Sequence, residues 1–367
     1  MASLSVEERA ALRDSVHRLL ADRSSEAHLR ATMETDAGYD TALWKQISEM
    51  GVAGLVIDEA HGGADAGPLE LEAVMEEAGA ALLCSPLVAS SVLAAELLRA
   101  LGDEEANARL LPGIAAGTTI ATAALTGEAG SWTEDGVTVS ASADGRLSGL
   151  ASYVLHGQNA DVLLVVADGP NGLQVLEVDP KATGVTVSAL PTFDHTLRLA
   201  KVVFDNAHGR ALAASGPVWA AVRQALDLAL VALAGEQAGG ARRVLEFTVD
   251  YAKTRIQFGR AIGSFQAIKH MAADLLLETE SAISAARNAA QKLADGAPDA
   301  AEAIALAAFA CADAFTKTTA DAVQMHGGIA FTWAHPAHLY LRRARADAQL
   351  FGAPASHRER YLEALGA

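Results

Sequence analysis

Cysteine is nearly missing from this chain of 367 residues, which carries only Cys84 and Cys311. Two thiols far apart in apolar helical contexts, without metal-like spacing, exclude a disulfide framework and a cysteine metal centre. They read as buried structural thiols in a reducing compartment. Basic residues are short too: 28 Lys and Arg face 45 Asp and Glu, for a net charge of −17. Phosphate binding needs a basic stripe, and without any Lys/Arg-rich run a nucleic-acid partner is excluded. Long hydrophobic runs are the third absence. The most apolar run, 225–234, is short and carries Asp227, well below the roughly 18 apolar residues a bilayer span needs. No membrane partner is expected. Residues 1–9 contain neither a basic n-region nor an apolar h-region, so no signal peptide is expected and the chain is placed in the cytoplasm.

What remains is a folded composition, 51% hydrophobic and 20% charged, too apolar for disorder and too interrupted for a membrane protein. The length exceeds what one core serves, so two or three subdomains are expected. An acidic surface still admits an anionic ligand, because arginines can reverse the field within one cleft.

Apolar residues recur at three- and four-residue spacing over 6–20, 41–50, 69–81 and 90–101, which predicts helices. Gly51, Gly62-Gly63, Pro68, Pro86 and Gly102 break the periods, and Pro112-Gly113 reads as a loop or cap closing the block. From 118 the character changes. Alternating β-branched stretches at 137–140, 161–167, 172–178, 185–187 and 199–204, separated by Gly/Asp/Asn turns, predict a small antiparallel β domain. Helical periodicity returns over 218–255, 264–295, 298–327 and 336–352, long enough for a four-helix bundle. The expected class is α+β, mainly α, with a helical domain at 1–117, a β domain at 118–212 and a helical bundle at 213–367.

Two segments carry chemistry. Arg255-Ile-Gln257-Phe258-Gly259, followed by Phe265 and Gln266, places a cation, amides and aromatics on a helix-to-helix connection. A dinucleotide needs charge neutralisation for its pyrophosphate, a stacking wall for its rings and hydrogen-bond partners for its edges; all three types are present. Alone, Arg255 is a solvated helix-end cation and the two phenylalanines are core. Downstream, Gln324-Met-His326-Gly327-Gly328 ends a helix with two glycines that let the backbone approach a ligand, and Phe331 and His335-Pro336 follow. His326 reads as an ordinary loop histidine.

Together the two segments resemble the flavin-contact motifs of the acyl-CoA dehydrogenase family, and helices, β layer and bundle follow its domain order. The resemblance covers the whole chain. It implies FAD held across a subunit boundary by Arg255, Gln257, Phe258, Gln266, Gln324, Gly327 and Gly328, an acyl-CoA thioester as substrate, and a dimer or a dimer of dimers. The family holds the flavin ring with a Thr-Glu-Pro-Gly-Ala-Gly-Ser-like turn and a Trp-Ile-Thr-like strand. The counterparts here are degenerate: Thr126 and Ser131 flank a turn one residue shorter, and Leu155 replaces a hydroxyl-bearing residue.

Acyl-CoA dehydrogenation removes an α-proton as a hydride leaves the β-carbon, so it needs a base. The family's commoner glutamate position falls on Phe351, and the alternative, on the helix entering the bundle, falls on Ala229. Asp227 lies on a different helix face from Ala229. Glu236 is a weak candidate base, more readily a helix-surface or interhelical salt-bridge residue, and Asp347 is expected to pair with Arg343 or Arg345. Three readings follow: a base-less subunit of a heteromeric acyl-CoA dehydrogenase beside a glutamate-bearing paralogue, a self-sufficient dehydrogenase with a non-standard base, and a catalytically silent scaffold that binds an acyl thioester or a partner.

Overall fold

The computed structural model describes residues 4–366. The N-terminal block holds α1 (Val6–Arg23), α2 (Glu26–Met33), α3 (Thr41–Glu49), α4 (Pro68–Ala80), α5 (Ala95–Leu101) and α6 (Glu104–Ala115). Side chains set several starts. Ser5 and Glu8 form a capping box on α1, Asp40 and Asp103 accept from the first turns of α3 and α6, and Pro68 fills the first turn of α4, where no amide partner is needed. A π-helical stretch, Leu87–Ala94, leads into α5. Pro112, expected in a loop or cap, lies inside α6. The helix continues only one turn beyond it, so the ring's missing donor costs a single bond near the end.

The middle layer is a sheet of β1 (Ala121–Ala124), β2 (Ser140–Ala141), β3 (Arg146–Leu155), β4 (Val162–Gly169), β5 (Gly172–Val178), β6 (Val185–Ala189), β7 (Leu199–His208) and β8 (Arg210–Ala211). Its order is β6-β7-β3-β2-β4-β5-β8, with β1 also against β4. Most pairings are antiparallel as expected, but β1 and β2 run parallel to β4, which makes the sheet mixed. Residues alternate between faces on β4: Leu163, Val165 and Ala167 fill the sheet's own core, while Leu164 and Val166 join the main helical core. Helices thus cover one side of this strand and sheet residues the other.

The C-terminal part contains α7 (Val218–Thr254), the short hairpin β9 (Ile256–Gln257) and β10 (Arg260–Ala261), α8 (Gln266–Ala294), α9 (Ala300–His326), α10 (Ala337–Asp347) and α11 (Pro354–Ala364). The fourth expected helix, 336–352, ends at Asp347, and a turn in which Phe351 takes a positive φ of 62° separates it from α11. By length and composition α7 would cross a membrane, yet 67% of its most apolar stretch is buried within the protein. Glycine lets it touch α4. A Cβ on Gly79 would stand 1.9 Å from the Glu236 carbonyl oxygen, and one on Gly239 1.8 Å from that of Glu76, closer than any side-chain-bearing residue allows. Both cysteines are buried, and the Cys311 thiol donates to Ala282 O at 3.3 Å, tying α9 to α8.

Candidate cofactor and catalytic site

The expected site residues separate into two groups, and among the described residues no hydrogen bond, ion pair or ring contact joins them. The first group sits where α7 and α9 end. The Arg255 amide donates to Tyr251 O at 2.8 Å as the last bond of α7, after which Arg255 is extended and the chain turns back through β9 and β10. Phe258 and Gly259 form the two-residue tip, with φ of 53° and 76°. A two-residue hairpin with matching twist requires positive φ at both positions, which for a phenylalanine costs about 1–2 kcal/mol. That backbone holds Phe258 outward, 91% exposed. Phe265 meets its edge at 6.1 Å between ring centres and takes the Arg260 guanidinium over its face at 4.0 Å. Gln257 and Gln266 are exposed beside it. The Arg255 side chain is exposed and has no acidic partner among the described residues. A surface cation without a counter-ion is suited to an external anion.

Gln324, also exposed, lies in the last turn of α9, which stops after His326 at Gly327 (φ 67°, ψ −149°), a conformation reserved for glycine. A Cβ on Gly327 or Gly328 would meet nothing, so open space lies directly over this backbone. Phe331 and Trp333 are exposed just beyond. The two motifs are held together from beneath, where Met325 packs with Leu245, Ala252 and Ile262, and the Tyr251 hydroxyl donates to His326 O at 3.4 Å.

The second group is the ring-side turn and the base positions. Thr126 is buried and its hydroxyl donates to Ser131 O at 2.6 Å, while the Ser131 hydroxyl bonds that of Thr133 at 2.8 Å. These hydroxyls close the turn on itself. Trp132, which the sequence reading passed over, meets the buried Phe351 edge to face at 5.2 Å and 74°. Its only signal in sequence was its place directly after Ser131. The second base position, Ala229, is fully buried on α7. At Leu233, one turn beyond Ala229 on α7, lies a cavity of about 30 Å³ lined also by Met75, Leu83, Leu155, Glu236 and Asp347. That is room for about one water, not an acyl chain.

Glu236 is not a helix-surface residue, as one of its expected roles had it. It is buried and paired with the Arg343 guanidinium, which also donates to Asp194 at 2.7 Å and to the Thr196 hydroxyl at 2.6 Å. Burial opposes the charge on Arg343, but Glu236, Asp194 and Asp347 outweigh it and hold the guanidinium protonated. That ion pair ties Glu236 of α7 to α10, the interhelical salt bridge that was its other expected role. Asp347 forms no ion pair with Arg343 or Arg345 among the described residues, and its Oδ2 has no hydrogen-bond partner. Burial first, and the Glu236 charge second, push its carboxyl well above the usual range. Asp227 is bound to Arg360 of α11 at 2.6 Å, a separate ion pair.

The chain belongs to the acyl-CoA dehydrogenase family, oxidoreductases acting on CH–CH bonds: the family's N-terminal domain matches residues 6–118 and its C-terminal domain residues 219–366. Acyl-CoA dehydrogenase IpdE2 of Mycobacterium tuberculosis is 34% identical over 349 residues, covering 95% of this chain and 94% of that protein. A variant of the Tcur3481-Tcur3483 steroid ACAD superposes with a TM-score of 0.88 at 30% identity and covers 98% of both chains. The ChsE4-ChsE5 complex from Mycobacterium tuberculosis contains a chain with a TM-score of 0.90 at 28% identity, covering 100% of this chain and 99% of its own.

Proposed function

We propose that this chain is the base-less subunit of a heteromeric, FAD-dependent acyl-CoA dehydrogenase. It completes the flavin site of a glutamate-bearing paralogue and performs no desaturation in a pocket of its own. The observation that carries this reading is the Trp132–Phe351 pair, which fills the base position with two aromatic rings beside a cavity too small for an acyl chain. An FAD fits one group of residues and not the other. At the α7 and α9 termini, unpaired Arg255 suits a pyrophosphate, exposed Phe258 a ring, Gln257, Gln266 and Gln324 polar edges, and the open backbone of Gly327 and Gly328 a close approach. Around Thr126 and Ser131 the hydroxyls are already engaged.

When bound, FAD supplies the hydride acceptor for α,β-desaturation of the thioester. This chain's part is to bind and orient: Arg255 neutralises phosphate charge, the hairpin tip presents Phe258, and Gly327-Gly328 removes steric bulk. Proton abstraction from the α-carbon falls to the partner's carboxylate. Likeness to the two-component ChsE4-ChsE5 complex and to a steroid ACAD supports a heteromer acting on a bulky acyl-CoA. The test is to purify the chain alone and co-expressed with a glutamate-bearing paralogue, and to measure flavin absorbance and acyl-CoA turnover. Turnover and one flavin per pair of unlike chains, with neither from this chain alone, is the expected result. Full desaturation by the homo-oligomer overturns the reading.

A further inference from the structure

Behind the two cofactor-facing motifs lies a stack of rings that neither motif contains in full. His326, the last residue of α9, is stacked on Tyr251 of α7 at 4.4 Å and 27°, and the His335 ring stands 4.5 Å from it on another side. Phe247 borders both histidines, at 5.6 Å and 6.0 Å. The His326 ring bonds Ala322 O through Nδ1 at 2.8 Å, which makes Nδ1 the protonated nitrogen and leaves Nε2 buried with no partner. His335 accepts the Ala337 amide at its own Nδ1, 3.2 Å away. The connection to the motifs is short. Tyr251 accepts the Arg255 amide through its carbonyl and reaches His326 O with its hydroxyl, so one residue grips both termini.

We propose that His326 is the positioning residue of the cofactor-facing end: wedged between Tyr251 and His335, it fixes the spacing of the α7 and α9 termini only while its imidazole is neutral, so that proton uptake loosens both motifs together. This rests on the reading that those motifs bind FAD. A proton on Nε2 would add an N–H with no acceptor in a buried site and a charge beside a second imidazole. Burial already disfavours the charged form of His326, and burial and His326 disfavour that of His335. The remaining charged neighbours nearly cancel, because Glu26 of α2, which favours a charged His335, is bound to Arg30, which opposes it, at 2.7 Å. On α10, His338 is itself pushed down to about 4 by burial, Arg30 and Arg342. Since the fold favours the neutral imidazole, its grip is complete above the free value of about 6.5 and weakens as pH falls through it.

The experiment compares wild type, His326→Phe and His326→Ala in the flavin-binding assembly, by FAD titration and by hydrogen exchange at the amides of Arg255, Ile262 and Thr332. Wild type loses FAD affinity several-fold between about pH 7.5 and pH 5.5, up to the roughly tenfold limit that one imidazole can give over this range, with matching loss of amide protection. His326→Phe keeps a ring in the stack and cannot titrate, so it binds FAD near the wild-type level at the higher pH and flattens both profiles. His326→Ala weakens binding at each pH. Wild-type protection that does not change with pH, or a His326→Phe profile as steep as wild type, overturns the inference. A wild type that binds no FAD yet shows the acid loss of protection overturns the functional reading instead and leaves the positioning role standing.

Discussion

The two ends of the candidate site were built by opposite means. At the α7 and α9 termini groups face outward: Arg255 without an acidic partner among the described residues, Phe258 lifted outward by a positive φ, and two glycines under open space. Around Thr126, Trp132 and Phe351 the groups meet one another, with hydroxyls bonded within the turn and rings packed edge to face, while the buried Arg343 is held by Asp194 and Glu236. Unsatisfied surface groups wait for a ligand, whereas satisfied buried groups replace one. On the proposed function, the contrast puts ligand binding at the rim and structural stability at the pocket.

The largest effect is expected in the closed pocket. Arg343→Met strands Glu236 and Asp194 without their cation and is expected to lower stability by about 3–5 kcal/mol, read as a shift in the urea midpoint. If Arg343→Met instead leaves stability intact and opens acyl-CoA turnover, the pocket is a live site and the contrast fails. Arg255→Ala addresses the other end. With no partner to strand, it should leave the urea midpoint unchanged while weakening FAD retention by about 1.5–3 kcal/mol, as loss of one charge-assisted contact does. Fluorescence titration of the assembly measures this, and an unchanged FAD affinity would remove Arg255 from the site.

Asp347 gives the smallest effect and tests the pocket's interior by pH. Its carboxyl titrates well above the usual range in the folded chain, while in the unfolded chain it ionises near about 3.9. The folded state therefore binds more protons above that value, and stability falls as pH rises. Asp347→Asn removes the penalty, so the variant should gain on wild type by about 1 kcal/mol or more between about pH 4.5 and pH 7.5. An equal difference at both pH values means that Asp347 is already ionised in the fold.

Sequence made the rim legible because its signals are local. Helical periodicity placed α7, α8 and α9 within a few residues, and the glycines and glutamine at 324–328 mark a helix end by their own chemistry. That Phe351 and Ala229 stand where the family resemblance expects a carboxylate is likewise a matter of sequence alone. What fills them was not. Trp132 and Phe351 meet only through tertiary folding, as do Asp194, Glu236 and Arg343, and no periodicity reports a partner that distant. The parallel pairing of β1 with β4 was hidden for the same reason. Pro112 was misplaced because a proline near a helix end costs little, and α2, α6 and α11 were not expected as separate helices.

The continuity of α7 has a further consequence. Ala229 and Arg255 stand on one unbroken helix or at its end, and at 1.5 Å of rise per residue they lie roughly 39 Å apart. The helix is a ruler. On the proposed function it sets how far the small cavity near Ala229 stands from the flavin-facing rim, and so the stride between unlike sites in the proposed assembly.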